Sequence, residues 1–332
     1  MTCPNIIEKL KEHNLCGRSG SGFSTGLKWE MTKSPEADKK YIICNGAEGE
    51  PGVFKDGFIL ENYPEEVIEG IKIALETLDN SSAYIYLRKD YYHKFKNKLK
   101  KFSQGLPIAL FKKTGGYVCG EATTAISCIE GKRKEPRMTP PFPNQSGLWG
   151  WPTLVNNVET FYDVAQIAKD KYKHTRFYSI SGEVKNKGVY ELPEDWSIQD
   201  ILKKTRNWPD FDFFAQIGGA ASGEILLPGE LCQKTQGAGA IIIFNREKTN
   251  PLSLMKKWAV FFLRESCGKC TPCREGVYRI AEILKKTRIN AKDKNSLDNI
   301  FFVLEKTSFC SFGKIVPTPF KSLIEKLKIN FG

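Results

Sequence analysis

The chain has 332 residues, 41% of them hydrophobic and 27% charged, with a formal net charge of +12. That length can bury more than one core, and the longest apolar runs, such as Ala240 to Phe244, have the length of buried strands, so direct membrane insertion is not expected. The lysines are spread over helix-like faces and not gathered in an aromatic-interleaved patch, which argues against nucleic acid as a partner.

In chain order, Met1 to Gly17 predicts a short amphipathic helix with Ile6, Ile7, Leu10 and Leu15 on one face. It runs into a glycine-rich loop, Gly17-Arg18-Ser-Gly20-Ser-Gly22-Phe23, that is read as a loop as far as Lys28-Trp29. Glycines let backbone amides approach a phosphate there, with Arg18 and Lys28 as counter-charges, although such loops also serve as plain turns. The strand Tyr41 to Cys44 leads to Asn45-Gly-Ala47-Glu48-Gly-Glu50-Pro51, and loops at strand C-termini are where α/β sheets bind ligands. A helix over Glu61 to Asp79, a strand over Ala83 to Leu87, a helix over Tyr91 to Phe102 and a strand over Ile108 to Phe111 follow. Cys119-Gly120-Glu121 leads into a further helix, and Pro140-Pro141-Phe142-Pro143 and Val155-Asn156-Asn157-Val158-Glu159-Thr160 read as polar, rigid loops. Alternating helices and strands over about 170 residues imply an α/β layer. Short β-like pieces with one helix near Ser197 fill Phe177 to Asn245, and the remainder after Pro251 is largely helical.

Chemistry is densest near the end. Cys267, Cys270 and Cys273 form a Cys-x-x-Cys-x-x-Cys run, and Cys310 stands as a distant fourth thiol. One thiolate per iron suits a [4Fe–4S] cluster. Four thiolates would also satisfy structural zinc, but zinc ribbons usually pair two Cys-x-x-Cys knuckles. Cys3, Cys16, Cys44, Cys119, Cys128 and Cys232 have no ligand spacing and are expected as buried free thiols. His13, His93 and His174 lie in unrelated segments, so no histidine metal site is expected.

The collinear series Gly-Arg-x-Gly-x-Gly-Phe, Asn-x-x-Glu-x-Glu-Pro-Gly, Cys-Gly-Glu, Pro-Pro-Phe-Pro, Val-Asn-Asn-Val-Glu-Thr and Glu-Ser-Cys-Gly-x-Cys-x-Pro-Cys-Arg-Glu-Gly, from Leu15 onward, closely resembles the NADH-binding flavoprotein subunit of respiratory complex I. Related subunits occur in NAD-linked hydrogenases, formate dehydrogenases and electron-bifurcating enzymes. The resemblance implies a multidomain α/β protein. Its parts would be a Rossmann-like FMN- and nucleotide-binding α/β domain over 1–175, a small ubiquitin-like β-grasp domain over 176–248 and a helical [4Fe–4S] domain over 249–332. The glycine loop, which follows no predicted strand, fits the usual Rossmann fingerprint poorly.

The resemblance further implies an NAD(P)H dehydrogenase-type electron-transfer subunit, with hydride transfer to FMN and single electrons passed to the cluster. Carried over by position, the FMN site comprises Gly17, Arg18, Gly20, Lys28, Asn45, Glu48, Gly120, Glu121, Asn156, Asn157 and Thr160. Phe23, Glu50 and Phe142 would meet the nicotinamide nucleotide, and Cys267, Cys270, Cys273 and Cys310 the cluster. The implied partners are a thioredoxin-like [2Fe–2S] subunit and a larger iron–sulfur or catalytic subunit. The implied location is the cytoplasm, or the inner face of a membrane by way of those partners. Ala47 stands where the family has Asp, Ala122 where it has Glu, Met31 where it is usually aromatic and Thr139 where it has Lys. Loss of the aromatic ring at Met31 and of the cation at Thr139 is expected to weaken nucleotide binding by roughly 1–3 kcal/mol. The four changes motivate an alternative in which ferredoxin, flavodoxin or a partner subunit supplies the electrons without NADH.

Overall fold

A computed structural model describes residues 5–20 and 22–331. They pack as two units: 1–49, 54–177 and 191–194 form the first, and 50–53, 178–190 and 195–332 the second. Cys3 lies outside the described residues.

The first unit runs α1 (Ile6–Glu12), α2 (Thr25–Lys33), β1 (Lys40–Gly46), α3 (Lys55–Asn62), α4 (Pro64–Thr77), β2 (Ser81–Leu87), α5 (Lys89–Phe102), β3 (Ile108–Lys112), α6 (Ala122–Ile129), β4 (Thr153–Asn157) and α7 (Val158–Ala168). Its four strands form a wholly parallel sheet in the order β3-β2-β1-β4. The sequence of β1 is apolar on successive residues, Tyr41 to Cys44, as expected of a strand covered on both faces. The chain winds outward from β1 through β2 to β3, then returns to place β4 on the other side of β1. This reversal is a topological switch point, and it lies between β1 and β4.

Two expectations change here. The segment Thr25 to Trp29, read as part of a loop, belongs to helix α2, because Ser24 caps it by accepting a hydrogen bond from the Leu27 amide and so starts a helix after the glycines. Val155 to Thr160 is not a loop but the end of β4 and the start of α7, with Asn157 as the N-cap. Its polar residues are helix-starting chemistry.

Beyond α7 come β5 (Thr175–Gly182), β6 (Gly188–Pro193), α8 (Ile198–Lys204), β7 (Phe213–Ile217), β8 (Glu224–Leu226) and β9 (Ala240–Asn245). These strands make a five-stranded mixed sheet in the order β6-β5-β9-β7-β8, with β5 parallel to β9 and β7 antiparallel to both β8 and β9. Five helices end the second unit: α9 (Pro251–Glu265), α10 (Thr271–Lys285), α11 (Ala291–Thr307), α12 (Ser311–Ile315) and α13 (Pro317–Lys326). Trp258, Phe262, Phe301, Phe312 and Phe320 are buried among them. Among the described residues no helix is long and apolar enough to cross a membrane. Cys44, Cys119 and Cys128 are buried as expected, whereas Cys16 and Cys232 are exposed, being on loop and turn segments.

Candidate functional site

The switch point gathers most of the polar residues expected at a cofactor. Register places Cys44 opposite Asn156 and Asn45 opposite Asn157, so three asparagines stand at the ends of neighbouring strands. Asn45 Nδ2 donates to the Gly120 carbonyl at 2.8 Å, which ties the end of β1 to the turn before α6. Asn156, with its amide oriented to satisfy its neighbours, accepts from Trp29 Nε1 and donates to the Val155 carbonyl, both at 2.9 Å. The glycine-rich loop closes on itself through Gly17 N to the Phe23 carbonyl at 3.0 Å, and Gly20 has a φ of 98° that favours glycine.

Several of the residues expected at the cofactor also hold the protein's own loops and helices. The Glu121 carboxylate caps α6, accepting from the Thr123 amide at 3.0 Å and the Thr124 amide and hydroxyl at 2.8 Å. Glu48 does the same for α3, accepting from the amides of Asp56 at 2.7 Å and Gly57 at 3.2 Å, and from the Tyr91 hydroxyl at 2.5 Å. Burial and the nearby Asp56 push its pKa up to about 7. Arg18 is buried and fully engaged: Nε donates to Asp163 at 2.8 Å, Nη1 to Glu194 at 2.7 Å and Nη2 to Tyr172 at 2.5 Å. Its own amide donates to Thr160 Oγ1 at 3.3 Å. Arg18 thus anchors the glycine loop to α7, and its guanidinium does not face outward as a phosphate counter-charge.

Beneath these groups lies a polar network that sequence reasoning did not assign. Lys55 Nζ lies 2.8 Å from both Asp56 and Glu159 and donates to Asn157 Oδ1 at 3.1 Å, and all four side chains are buried. Burial opposes the charges, but Asp56 and Glu159 raise the Lys55 pKa, and Lys55 holds Glu159 below the usual carboxylate range. The sequence signal was a Lys-Asp pair opening a helix just after a strand and its turn.

Lys28 differs from all of these. It is half-buried on α2, makes no ion pair among the described residues, and donates only to the Val155 carbonyl at 3.2 Å. Burial pushes its pKa down, so an anion beside it would be favoured. This half-buried cation, with no ion pair among the described residues, beside a glycine loop at a switch point, fits a phosphorylated cofactor such as FMN. Phe23 and Phe142 of the same unit present exposed rings. Glu50 belongs to the second unit, where Oε1 accepts from the amides of Ala221 and Ser222 at 2.9 Å. Its carboxylate therefore holds the 219–222 loop.

In the second unit the four cysteines come from two helix starts. Cys270 is the N-cap of α10, Cys273 lies in its first turn, and Cys310 is the N-cap of α12. Close approach brings the two starts together: a Cβ on Gly313 would collide with Ser308 Oγ and lie 3.2 Å from Cys273 Cβ. Lys269 Nζ sits 4.7 Å from the ring centroid of Phe309, joining the two cysteine segments again. Burial pushes the Cys273 thiol up to about 11; Ser266 Oγ at 3.4 Å opposes this, and Cys270, Cys310 and Cys267 add to it. Burial also raises the Cys310 pKa, against hydrogen bonds from the Gly313 and Phe312 amides.

The four thiols are thus within electrostatic reach of one another. Four thiols so gathered suit a four-iron cluster, one ligand per iron.

Family models cover both regions, the Nuo51 FMN-binding domain over residues 10–166 and the NADH-ubiquinone oxidoreductase-F iron-sulfur binding region over 253–332. The chain is 36% identical to the NADH-quinone oxidoreductase F subunit of Buchnera aphidicola subsp. Schizaphis graminum, over 99% of this chain and 84% of that one. The chain belongs to the family of NADH-quinone oxidoreductase F subunits. The Escherichia coli member is 33% identical over 98% of this chain and 83% of its own length. Hydrogenase subunits resemble this family as well: the alpha subunit of the NAD-reducing hydrogenase HoxS of Cupriavidus necator is 31% identical over 97% of this chain and 59% of that one. A crystal structure of an NAD+-reducing [NiFe]-hydrogenase in the H2-reduced state matches with a TM-score of 0.92 at 30% identity, over 98% of this chain and 62% of the other. FMN and a [4Fe–4S] cluster are accordingly the cofactors of this family member.

Proposed function

We propose that this chain is the FMN- and [4Fe–4S]-carrying subunit of a multisubunit oxidoreductase that oxidises NAD(P)H. FMN, when bound, accepts a hydride and releases its electrons singly, and the cluster carries one electron at a time. Lys28 carries the reading for the flavin, being a half-buried cation with no acidic partner among the described residues at the β1/β4 switch point. Its ammonium would hold the phosphate. Asn45, Asn156 and Asn157 shape the polar floor, while Glu48, Glu121, Thr160 and Arg18 hold the loops and helices that frame it. The exposed rings of Phe23 and Phe142 are suited to stacking against a nicotinamide nucleotide. Cys267, Cys270, Cys273 and Cys310 would ligate the cluster.

In functional terms the chain divides into a Rossmann-like flavin region over 1–175, a ubiquitin-like β-grasp over 176–248 and a helical cluster region over 249–332. The strand order of the mixed sheet, with parallel β5 and β9 side by side within it, supports the β-grasp assignment. A thioredoxin-like [2Fe–2S] subunit and a larger iron–sulfur or catalytic subunit would take the electrons onward. The protein would act in the cytoplasm or at the inner membrane face through them.

Anaerobic stopped-flow mixing of the FMN-loaded protein with NADH, NADPH or reduced ferredoxin tests the reading. Flavin bleaching by a nicotinamide nucleotide is expected. Bleaching by reduced ferredoxin alone would transfer the role to a subunit that does not use the nucleotide, as the substitutions Ala47, Ala122, Met31 and Thr139 would then explain.

A further inference from the structure

Two of the three histidines, separated by 161 residues in sequence, meet in the first unit. His13 ends α1 and His174 precedes β5, yet His13 Nδ1 faces His174 Nε2 at 3.4 Å. Their ring centroids are 5.3 Å apart, and Tyr172 packs against both, at 5.5 Å from His13 and 4.8 Å from His174. His174 has a φ of 52°, a left-handed conformation that costs energy outside glycine, and its carbonyl accepts from the Glu194 amide at 2.9 Å. The backbone therefore holds this ring in place by more than local preference.

At 3.4 Å the two nitrogens stand at the long end of a hydrogen bond, with one ring donating and the other accepting. The spacing also matches two imidazole nitrogens on one tetrahedral ion, which stand about 3.3–3.4 Å apart when each is about 2.0–2.1 Å from the metal. The other ring nitrogen of His174 lies 3.5 Å from Glu194 Oε1, and the second Glu194 oxygen accepts from Arg18 at 2.7 Å. A carboxylate behind a ligating imidazole fixes its tautomer and raises its basicity. The nearby Lys9 ammonium is neutralised by Asp170 at 2.7 Å, and the His174 side chain is 54% exposed, so an ion can enter.

We propose that His13 Nδ1 and His174 Nε2 bind a borderline divalent transition-metal ion such as Zn2+. Glu194 orients His174, and water fills the remaining positions, since no third His, Cys, Asp or Glu among the described residues converges there. The ion acts as a staple between the end of α1 and the segment entering β5, closing a long stretch of chain. Through Glu194 it also bears on Arg18, the anchor of the glycine loop.

The test uses the FMN- and cluster-loaded protein, its iron content confirming that the four clustered thiols are occupied. It is dialysed anaerobically against Zn2+, and bound zinc and thermal unfolding are measured for the wild type, His13→Ala and His174→Ala. The wild type is expected to bind one more zinc per chain than either variant, and zinc to raise the Tm of the wild type alone. Glu194→Gln should weaken binding by about 10–100-fold. Cys16 and Cys232 are common to every chain and cancel. Equal zinc content in the wild type and both histidine variants, or an equal Tm rise, would overturn the site.

Discussion

The two cofactor regions are prepared in opposite ways. Around the ends of β1 and β4 the carboxylates and amides already have protein partners: Glu48 and Glu121 cap helices, Asn157 joins Lys55 and Asp56, and Arg18 is spent on Asp163, Glu194 and Tyr172. Lys28, by contrast, is a half-buried charge with no opposite one among the described residues. In the cysteine region the thiols are brought together by helix starts and by the close pass at Gly313, and burial raises the pKa of Cys273 and Cys310. The first region can therefore stand as a folded scaffold before its ligand arrives. The second is completed chemically only when iron replaces the thiol protons.

The largest expected effect tests that independence. Cys270→Ser should abolish the cluster, reducing iron and sulfide from about four each per chain to near none, while the FMN absorbance persists. Loss of both cofactors together would show the two regions to be interdependent. Next in size is the buried network. Lys55→Met leaves Asp56 and Glu159 without their cation and should destabilise the parallel-sheet unit by about 3–5 kcal/mol in denaturant unfolding. A change below about 1 kcal/mol would mean the network is not a structural frame.

Lys28→Met distinguishes a ligand-holding charge from a frame. It should weaken FMN binding by about 10–100-fold, corresponding to a charged hydrogen bond of about 1.5–3 kcal/mol, without lowering the stability of the FMN-free protein. Equal FMN affinity in isothermal titration would remove Lys28 from the site.

The smallest effect is a pH slope. Glu48 has its folded pKa raised to about 7 from 4.5, so the native state keeps a proton that the unfolded chain releases near 4.5. This stabilisation is complete below the unfolded value, falls as pH rises toward about 7, and is absent above it. The slope is at most about 1.4 kcal/mol per pH unit. Glu48→Gln should flatten the stability profile between those pH values, and an identical slope in both proteins would assign the proton elsewhere.

The sequence by itself determined the chemistry that repeats as short local patterns. The Cys-x-x-Cys-x-x-Cys run, the glycine loop and the apolar strand Tyr41 to Cys44 could be read because ligand spacing, backbone freedom and strand burial are local properties. Helix α2 was hidden by the glycines before it, since its start depends on one cap, Ser24. What each polar residue does was decided only by tertiary structure. Glu121 and Glu48 look like ligand contacts until the helix amides beside them are seen, and Arg18 looks like a phosphate partner until Asp163 and Glu194 arrive from 145 and 176 residues away. His13 and His174 become neighbours only because α1 and the segment before β5 pack in one unit. Residue type limits what a group can bind, but long-range packing decides which partner reaches it first.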